Sequence, residues 1–582
     1  MLAISQSRRR PDRMSTARRR SVTKTHERIG QLGWEPTHHQ PVTNYPTRYK
    51  FPAKAKDPMK QIMREYLPMQ LEKDERMYGG FDAAVRANMA DKTERRWLEV
   101  LKPFVHTTTY IEGCAGRVMS MLMDTVPNHE LLNGYHVQFL DELRHIGMQQ
   151  SLARWYTKNA PEPEGWAMGA KYYTGSPLTK AGYNMGTNTI VGDPVHAGLT
   201  MMGVLETAFT NIAFVALPDV AVRNGDFTLP TTYSSAQSDE ARHISNGYAT
   251  LMTLLQEDSN IPLIQQDLAA GWWSTHAFID PFAGVLMEYF SKNRSDTESY
   301  LDKWNRWVND DYYRSYIEQL GKLGLEMDPA VFLDARERIE NGLIHQTAIF
   351  AFAIWPLAYW RFDGLNEEDF EWFEARYPGW YDEYGPLWEA FNALKDPEEQ
   401  TLLLSGFLEN APPMCWSCMM NCLGDEGPLH RVLDGRTRFY CSDQCMKNDV
   451  NYPGRYTGDR IFFDKYHGWN LADVIRDIGF IHPDGKTLVG QPHIDDDNRL
   501  WTIDDIEACG LEIISPNVRA AEEMGLPNGN WHDPEAPDGA VVTTEMSYVH
   551  TSIGGDGLET GPGVIAAGAN GNGRRNVAEV IR

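Results

Sequence analysis

One five-residue phrase is written twice, as Asp141-Glu142-Leu143-Arg144-His145 and Asp239-Glu240-Ala241-Arg242-His243. Each copy sets a carboxylate and an imidazole three positions apart, which on an α-helix places both on one face about one turn apart. A glutamate lies upstream of each copy, Glu112 in TYIEGCAG and Glu206 in GVLETAFTN. Both fall in segments that are apolar almost all round, residues 94–123 and 196–217, and such segments read as buried helices. An ionised glutamate there is costly unless it is paired or bound to metal. A lone Glu-x-x-His reads as a solvated helix face. Two copies with matching Asp and Arg, each joined by a buried glutamate, read as a metal site. Four glutamates and two histidines on four helical segments form the ligand set of a carboxylate-bridged di-iron or di-manganese centre in a four-helix bundle.

These residue types suit the chemistry. Carboxylates bridge two hard cations and can change binding mode, while neutral imidazole gives each metal one nitrogen and leaves positions open for dioxygen. Asp141 and Asp239 can accept the second N–H of the histidines, and Arg144 and Arg242 can pair with those aspartates. Ordinary salt bridging on a helix surface is the other reading of these four. Thr108, one turn before Glu112, and Gln149, one turn after His145, are expected to line the cavity beside the metals and make it more polar than an alkane pocket.

Asp141 and Asp239 stand 98 positions apart, the pseudo-repeat of one helical hairpin used twice. The expected fold is all-α, a ferritin-like four-helix bundle with additional helices and a smaller irregular C-terminal region. Residues 1–55 read as a partly disordered arm, 56–395 as the helical di-iron domain, 396–526 as a cysteine-bearing region and 527–582 as a flexible Gly-rich tail. A formal net charge of −25 argues against a nucleic-acid partner. No uninterrupted apolar run is long enough to span a bilayer. The arginines at 8–10 and 18–20 lack the hydrophobic segment that a secretory signal needs, so the expected location is the cytoplasm.

Five of the seven cysteines lie between 415 and 445. Cys415-x-x-Cys418 and Cys441-x-x-x-Cys445, separated by a Gly/Asp-containing stretch that can form a hairpin, suit a tetrahedral metal, most simply structural zinc. Cys422 could replace Cys418. A rubredoxin-like iron and unliganded thiols are the other readings. Cys114 reads as a small core residue.

Beyond the ligands, DDYYRSYIEQL (310–320), DFEWFEARYPGWYDEYGPLWE (369–389) and GKTLVGQPH (485–493) resemble the hydroxylase α subunit of the bacterial multicomponent monooxygenases. The resemblance spans roughly residues 20–520 and is nearest to the propane monooxygenase branch. It implies that Glu112, Glu142 and His145 hold one iron and Glu206, Glu240 and His243 the other. It further implies that Thr210, one turn after Glu206, faces the oxygen-binding side and can relay protons. A hydroxyl bonded back to its own helix is the alternative for Thr210. Asn211 and Gln237 match residues along a small pore. The implied reaction inserts one oxygen atom into propane or another short alkane, with phenols, alkenes, ketones and cyclic ethers as rival substrates. A di-iron oxidase or desaturase without oxygen insertion is the rival class. The implied partners are a hydroxylase β subunit, a small coupling protein and an NADH reductase carrying FAD and a 2Fe–2S cluster, around a dimer of αβ pairs. A ribonucleotide reductase radical subunit would carry tyrosine where Gln149 stands, and a ferritin would be a single short bundle.

Overall fold

The computed structural model describes residues 47–53, 63–161, 185–292 apart from 187 and 191, 298–358, 364–395, 400, 403, 412–452 apart from 424–427 and 434, and 516–527. The GKTLVGQPH stretch, nearly all of the arm and the Gly-rich tail lie outside them.

The described elements are mostly helical: α1 (Met63–Arg86), α2 (Arg95–Thr125), α3 (His129–Asn159), α4 (a run from Pro194 to Arg223), α5 (Thr228–Leu254), α6 (Ile261–Glu288), α7 (a run from Tyr300 to Gly321), α8 (Pro329–Ala358), α9 (Glu367–Arg376), α10 (Trp380–Ala393), α11 (Asp443–Asn451) and α12 (Pro516–Glu523). One antiparallel hairpin among the described residues pairs β1 (Leu429–Leu433) with β2 (Arg436–Tyr440) in the register Leu429↔Tyr440 to Leu433↔Arg436. Helices α2 to α5 form the bundle that carries the repeated phrase. α6 covers α4, α8 packs on α6, and α1 runs across α5. The expected all-α, ferritin-like bundle is what the chain adopts.

Local chemistry sets the hairpin geometry. Asp193 caps α4 by accepting from the Val195 amide at 2.8 Å, with Pro194 at the first helical position, where a missing N–H costs nothing. Between α4 and α5 the chain turns at Gly225, whose φ is +79° and where a Cβ would stand 2.8 Å from the Lys92 carbonyl oxygen. The next residue, Asp226, is buried and accepts from the Thr228 amide at 2.9 Å, from Trp97 Nε1 at 3.2 Å and from the Tyr156 hydroxyl at 2.6 Å. One side chain thus starts α5 and ties that start to α2 and α3. Further along α5, Gly247 lets the backbone approach α4, since a Cβ there would meet Met202 Cβ at 2.6 Å. It lies one turn beyond His243, so the close approach brings that histidine toward Glu206.

α4 is not a plain α-helix. Met201–Phe209 and Ile212–Ala216 are wound with π-type turns, and the run bends by 43° between Pro194–Phe209 and Ile212–Arg223. Glu206 lies inside the first wide turn, and π turns concentrate at functional sites because they re-aim side chains. These two halves are the only described helix pair apolar enough in length and composition for a membrane span, and they are largely buried in the bundle; no single described helix meets that test. Cys415, Trp416, Phe439 and Cys445 belong to the same continuous apolar cluster as the bundle, so the described cysteine region shares its core.

Candidate metal centres

The fold brings the six predicted residues together. Glu112 comes from α2, Glu142 and His145 from α3, Glu206 from α4, and Glu240 and His243 from α5. His145 Nδ1 lies 3.5 Å from both Glu112 Oε2 and Glu142 Oε2, and 3.9 Å from Glu240 Oε1. His243 Nδ1 lies 3.1 Å from Glu240 Oε2 and 3.5 Å from both Glu142 Oε1 and Glu206 Oε1. The imidazole centroids are 5.8 Å apart. Glu112, Glu142 and His145 make one group of donor atoms within 4.8 Å of one another, and Glu142, Glu206 and His243 make a second. Glu142 therefore belongs to both halves, and Glu240 spans both histidines.

The surrounding layer is wired crosswise. His145 Nε2 meets Asp239 Oδ2 at 3.2 Å, while His243 Nε2 meets Asp141 Oδ2 at 3.3 Å. Each aspartate thus serves the histidine of the other copy. The arginines cross in the same way: Arg144 donates to Asp239 Oδ2 and Arg242 to Asp141 Oδ2, both at 2.8 Å, and Arg242 also bonds Asp239 on its own helix. From α1, the Tyr66 hydroxyl donates to Asp141 Oδ1 at 2.6 Å, Gln70 donates to Asp239 Oδ1 at 2.9 Å, and Lys73 pairs with Asp239. Tyr66, Gln70 and Lys73 have the spacing of one helix face. Without knowledge of which helix lies alongside, that spacing carried no signal.

On the opposite side, Gln138 donates from Nε2 to Glu206 Oε1 at 2.8 Å and lies 3.3 Å from Glu142 Oε1. Asn246 in turn donates to Gln138 Oε1 at 3.1 Å. Both were missed from sequence, although Gln138 lies one turn before Glu142 and Asn246 one turn after His243.

This arrangement fits a pair of divalent cations. Outside, the charges of Asp141 and Asp239 are met by Arg144, Arg242 and Lys73. Inside, four carboxylates surround two imidazoles with no fixed cation, a formal charge that two divalent ions would cancel. His145 Nδ1 and Glu206 Oε2 are buried and complete no hydrogen bond, as expected of donor atoms aimed at a metal. Burial pushes the Glu142 carboxyl up to about 7 and the Glu206 carboxyl up to about 8. It also disfavours both imidazolium forms, yet Asp239 and the glutamates around His145, and the glutamates and Asp141 around His243, outweigh it and raise both rings. The cluster calls for positive charge, whether protons or metal. Asp239 stays ionised: burial opposes that, but His145, Arg242 and Arg144 hold it well below the usual carboxylate range.

A family model described as methane/phenol/alkene hydroxylase matches residues 34–258. Over 533 residues the chain is 42% identical to the propane 2-monooxygenase hydroxylase component large subunit of Rhodococcus jostii (strain RHA1), covering 88% of this chain and 97% of that one. The chain belongs to this hydroxylase family. It is also 32% identical over 507 residues to the methane monooxygenase component A alpha chain of Methylococcus capsulatus (Bath), covering 85% of this chain and 95% of that one. Phenol hydroxylase from Pseudomonas sp. OX1 superposes with a TM-score of 0.65 over 83% of this chain and 97% of that chain; at 20% identity this likeness speaks for the fold alone. The protein is thus a large hydroxylase subunit of a bacterial multicomponent monooxygenase, a di-iron enzyme, and the glutamate–histidine cluster is where its donor set fits the two metals.

Residues assigned to the oxygen and substrate side take varied positions in this hydroxylase. The Thr210 hydroxyl donates to the Glu206 carbonyl, so in this conformation it is bonded back to its own helix at the edge of the wide turn. Thr108 donates to Phe104 O at 3.2 Å and Val105 O at 3.1 Å, and reaches Gln149 Oε1 at 3.3 Å. Asn211 and Gln237 are half-buried on α4 and α5.

A second donor cluster is made of sulfur. The thiols of Cys415, Cys418, Cys441 and Cys445 lie within 4.8 Å of one another, and Cys422 is outside the group. Cys418 and Cys441 sulfurs are 3.6 Å apart and those of Cys441 and Cys445 3.5 Å, with no disulfide among them. The first pair sits on a tight turn that leaves Met419 at φ +65°. The second joins the end of β2 to the first turn of α11, capped by Ser442. Trp273 Nε1 donates to Cys445 Sγ at 3.1 Å, and the half-buried Arg338 guanidinium lies 4.0 Å from Cys418 Sγ. Its neighbours hold the Cys441 thiol well below its ordinary value, whereas burial raises those of Cys415 and Cys445.

Proposed function

We propose that this hydroxylase inserts one oxygen atom of dioxygen into propane or another short alkane: R–H + O2 + NADH + H+ gives R–OH + H2O + NAD+. The observation that carries this reading is the convergence of four glutamates and two histidines between crossed aspartates, in a chain 42% identical to a propane 2-monooxygenase large subunit.

Glu112, Glu142 and His145 would hold one iron, and Glu206, Glu240 and His243 the other, with Glu142 common to both donor groups. When bound, a di-iron pair supplies the reduction of dioxygen and the oxidising power that breaks a C–H bond. The protein's own groups set the conditions. Asp239 and Asp141 accept Nε2–H from His145 and His243, which fixes the tautomer and turns each Nδ1 lone pair toward the glutamates. Gln138, held by Asn246, limits the swing of Glu206. The Thr210 hydroxyl, resting on the Glu206 carbonyl, is the nearby protic group that can hand on a proton from Oγ1. Asn211 and Gln237 border the route by which small molecules and protons enter.

Cys415, Cys418, Cys441 and Cys445 hold a structural zinc, a closed tetrathiolate without redox work. Electrons come from a separate NADH reductase carrying FAD and a 2Fe–2S cluster, through a complex with a β subunit and a small coupling protein, arranged as a dimer of αβ pairs. The free thiols suit a reducing cytoplasm.

The test is isotopic. The hydroxylase is purified with its β subunit, supplied with reductase, coupling protein, NADH, propane and 18O2, and the products are analysed by mass. Label in propanol is expected; propane consumption with label only in water would refute oxygen insertion.

A further inference from the structure

The last torsion of a glutamate side chain is soft, so nothing within Glu206 itself fixes which way its two oxygens point. The fold fixes it from outside. Gln138, on α3 one turn before Glu142, is fully buried and donates from Nε2 to Glu206 Oε1 at 2.8 Å, with Glu142 Oε1 at 3.3 Å. Its own amide is no stiffer than the carboxylate it holds. Asn246, on α5 one turn after His243, supplies the stiffness: its Nδ2 donates to Gln138 Oε1 at 3.1 Å and to the Gly134 carbonyl at 3.0 Å. A carbonyl oxygen can only accept. The α3 backbone therefore dictates which way Asn246 lies, Asn246 dictates which way Gln138 lies, and Gln138 turns its N–H groups to the carboxylates.

This chain of orientation serves one half of the centre. The two oxygens that Gln138 faces, Glu206 Oε1 and Glu142 Oε1, both lie 3.5 Å from His243 Nδ1. The pseudo-repeat breaks here. Shifting by the 98 positions that separate the two phrases takes Gln138 to Ala236 and Asn246 to Met148, and neither side chain can donate a hydrogen bond. The crossed aspartates and arginines, by contrast, come in both copies.

We propose that Gln138, held by Asn246, is a positioning residue that makes the two metal sites unequal. It fixes the rotation of the Glu206 carboxylate and so gives the metal held with His243 one constant binding mode from Glu206. The repeat provides no such amide clamp for the metal held with His145. Without the clamp Glu206 is free to turn and to change how many oxygens it offers, so the consequence of losing it falls on one iron. This rests on the ligand assignment proposed above.

The test needs no turnover. Hydroxylase purified with its β subunit is loaded with 57Fe and reduced, and its Mössbauer spectrum is recorded. Gln138→Met keeps the length of the side chain and removes the donor. It is expected to shift the signal of half of the iron and leave the other half as in wild type. Retention of the shifted half against a chelator should weaken by about tenfold or more, as when an outer group that orients a ligand is lost. Asn246→Ala keeps Gln138 but frees its rotation, and should shift the same half by less. In the double variant the shift should equal that of Gln138→Met alone, because Asn246 acts through Gln138. A shift of all the iron, no shift at all, or additive shifts in the double variant would overturn the proposal. Failure of the ligand assignment shows separately, as retention of both irons by Glu206→Ala.

Discussion

The two donor clusters of this chain are built on opposite plans. The carboxylate cluster is assembled from the interiors of four long helices, none of its donors sits in a loop, and its charge is left unbalanced inside a balanced outer layer. The thiolate cluster is assembled from a turn, a strand end and a helix start, with Arg338 and Trp273 packed directly against its sulfurs. A hard, charge-hungry site with mobile carboxylates can serve reactions that change charge, whereas a sulfur site compensated on the spot suits a fixed ion. The difference supports the proposal that the first cluster carries the chemistry and the second the fold.

The largest expected effect separates them. Glu142→Ala or His243→Ala should drop iron from about two per chain to well under one and reduce turnover by about a thousandfold or more. Cys415→Ser should leave iron content near wild type while releasing zinc and lowering the melting temperature by several degrees. Metal analysis alongside thermal unfolding reads both, and loss of iron in the cysteine variant would collapse the distinction.

A second expected effect is smaller and sharpens the carboxylate side. Asp239→Asn should weaken iron binding by about 10–100-fold, the usual consequence of losing a residue that orients a metal-bound imidazole. Because the wiring is crosswise, the perturbed histidine should be His145 on α3, not His243 on α5. Histidine-selective NMR of the zinc- or gallium-substituted protein can tell them apart. A change confined to His243 would contradict the geometry.

Much of this centre was legible in the sequence, and the limits are physical. Helical spacing and the repeated phrase placed Glu142, His145, Glu240 and His243 on ligand faces, and apolar surroundings singled out Glu112 and Glu206. Cysteine spacing picked the four sulfurs, and the hairpin expected between the pairs is β1–β2. What spacing could not give was pairing between helices. Asp141 and Asp239 were expected as orienting groups, but which histidine each serves depends on how α3 meets α5. Tyr66, Gln70 and Lys73 share a face of α1 whose neighbour is set only by tertiary packing. The wide turns of α4 left no periodic trace, because a single extra residue per turn is lost in a uniformly apolar segment.

A third expected effect concerns pH, and again the two clusters should differ. In metal-free protein the Glu142 and Glu206 carboxyls are raised to about 7 and about 8, above the ordinary glutamate value of 4.5. Between those values the folded chain keeps protons that the unfolded chain has released, so its stability should fall as pH rises from about 5 to 8. The histidines, also raised, add to the same trend as pH rises through and above 6.5. Iron displaces these protons and should flatten the slope. Thermal unfolding of the apo and iron-loaded forms across that window tests it, with Cys415→Ser as the control whose slope should match wild type. An apo protein that gains stability with rising pH would show that the inner carboxylates are neutralised by something else.

The smallest expected effect falls on Thr210, at the edge of the wide turn that carries Glu206. Its hydroxyl donates to the Glu206 carbonyl, so Thr210→Ser keeps the bond and should leave stability and turnover near wild type. Thr210→Val removes it, at a cost of about 1 kcal/mol in stability. If the hydroxyl stays on the carbonyl throughout turnover, activity should fall by no more than about threefold, in step with that structural loss. If it swings out to pass a proton, the valine variant should lose more, and its solvent deuterium isotope effect should differ from that of the wild type and the serine variant. That isotope comparison separates a helix-bracing hydroxyl from a proton relay, because bracing alone gives no reason for a proton transfer to become slower in D2O.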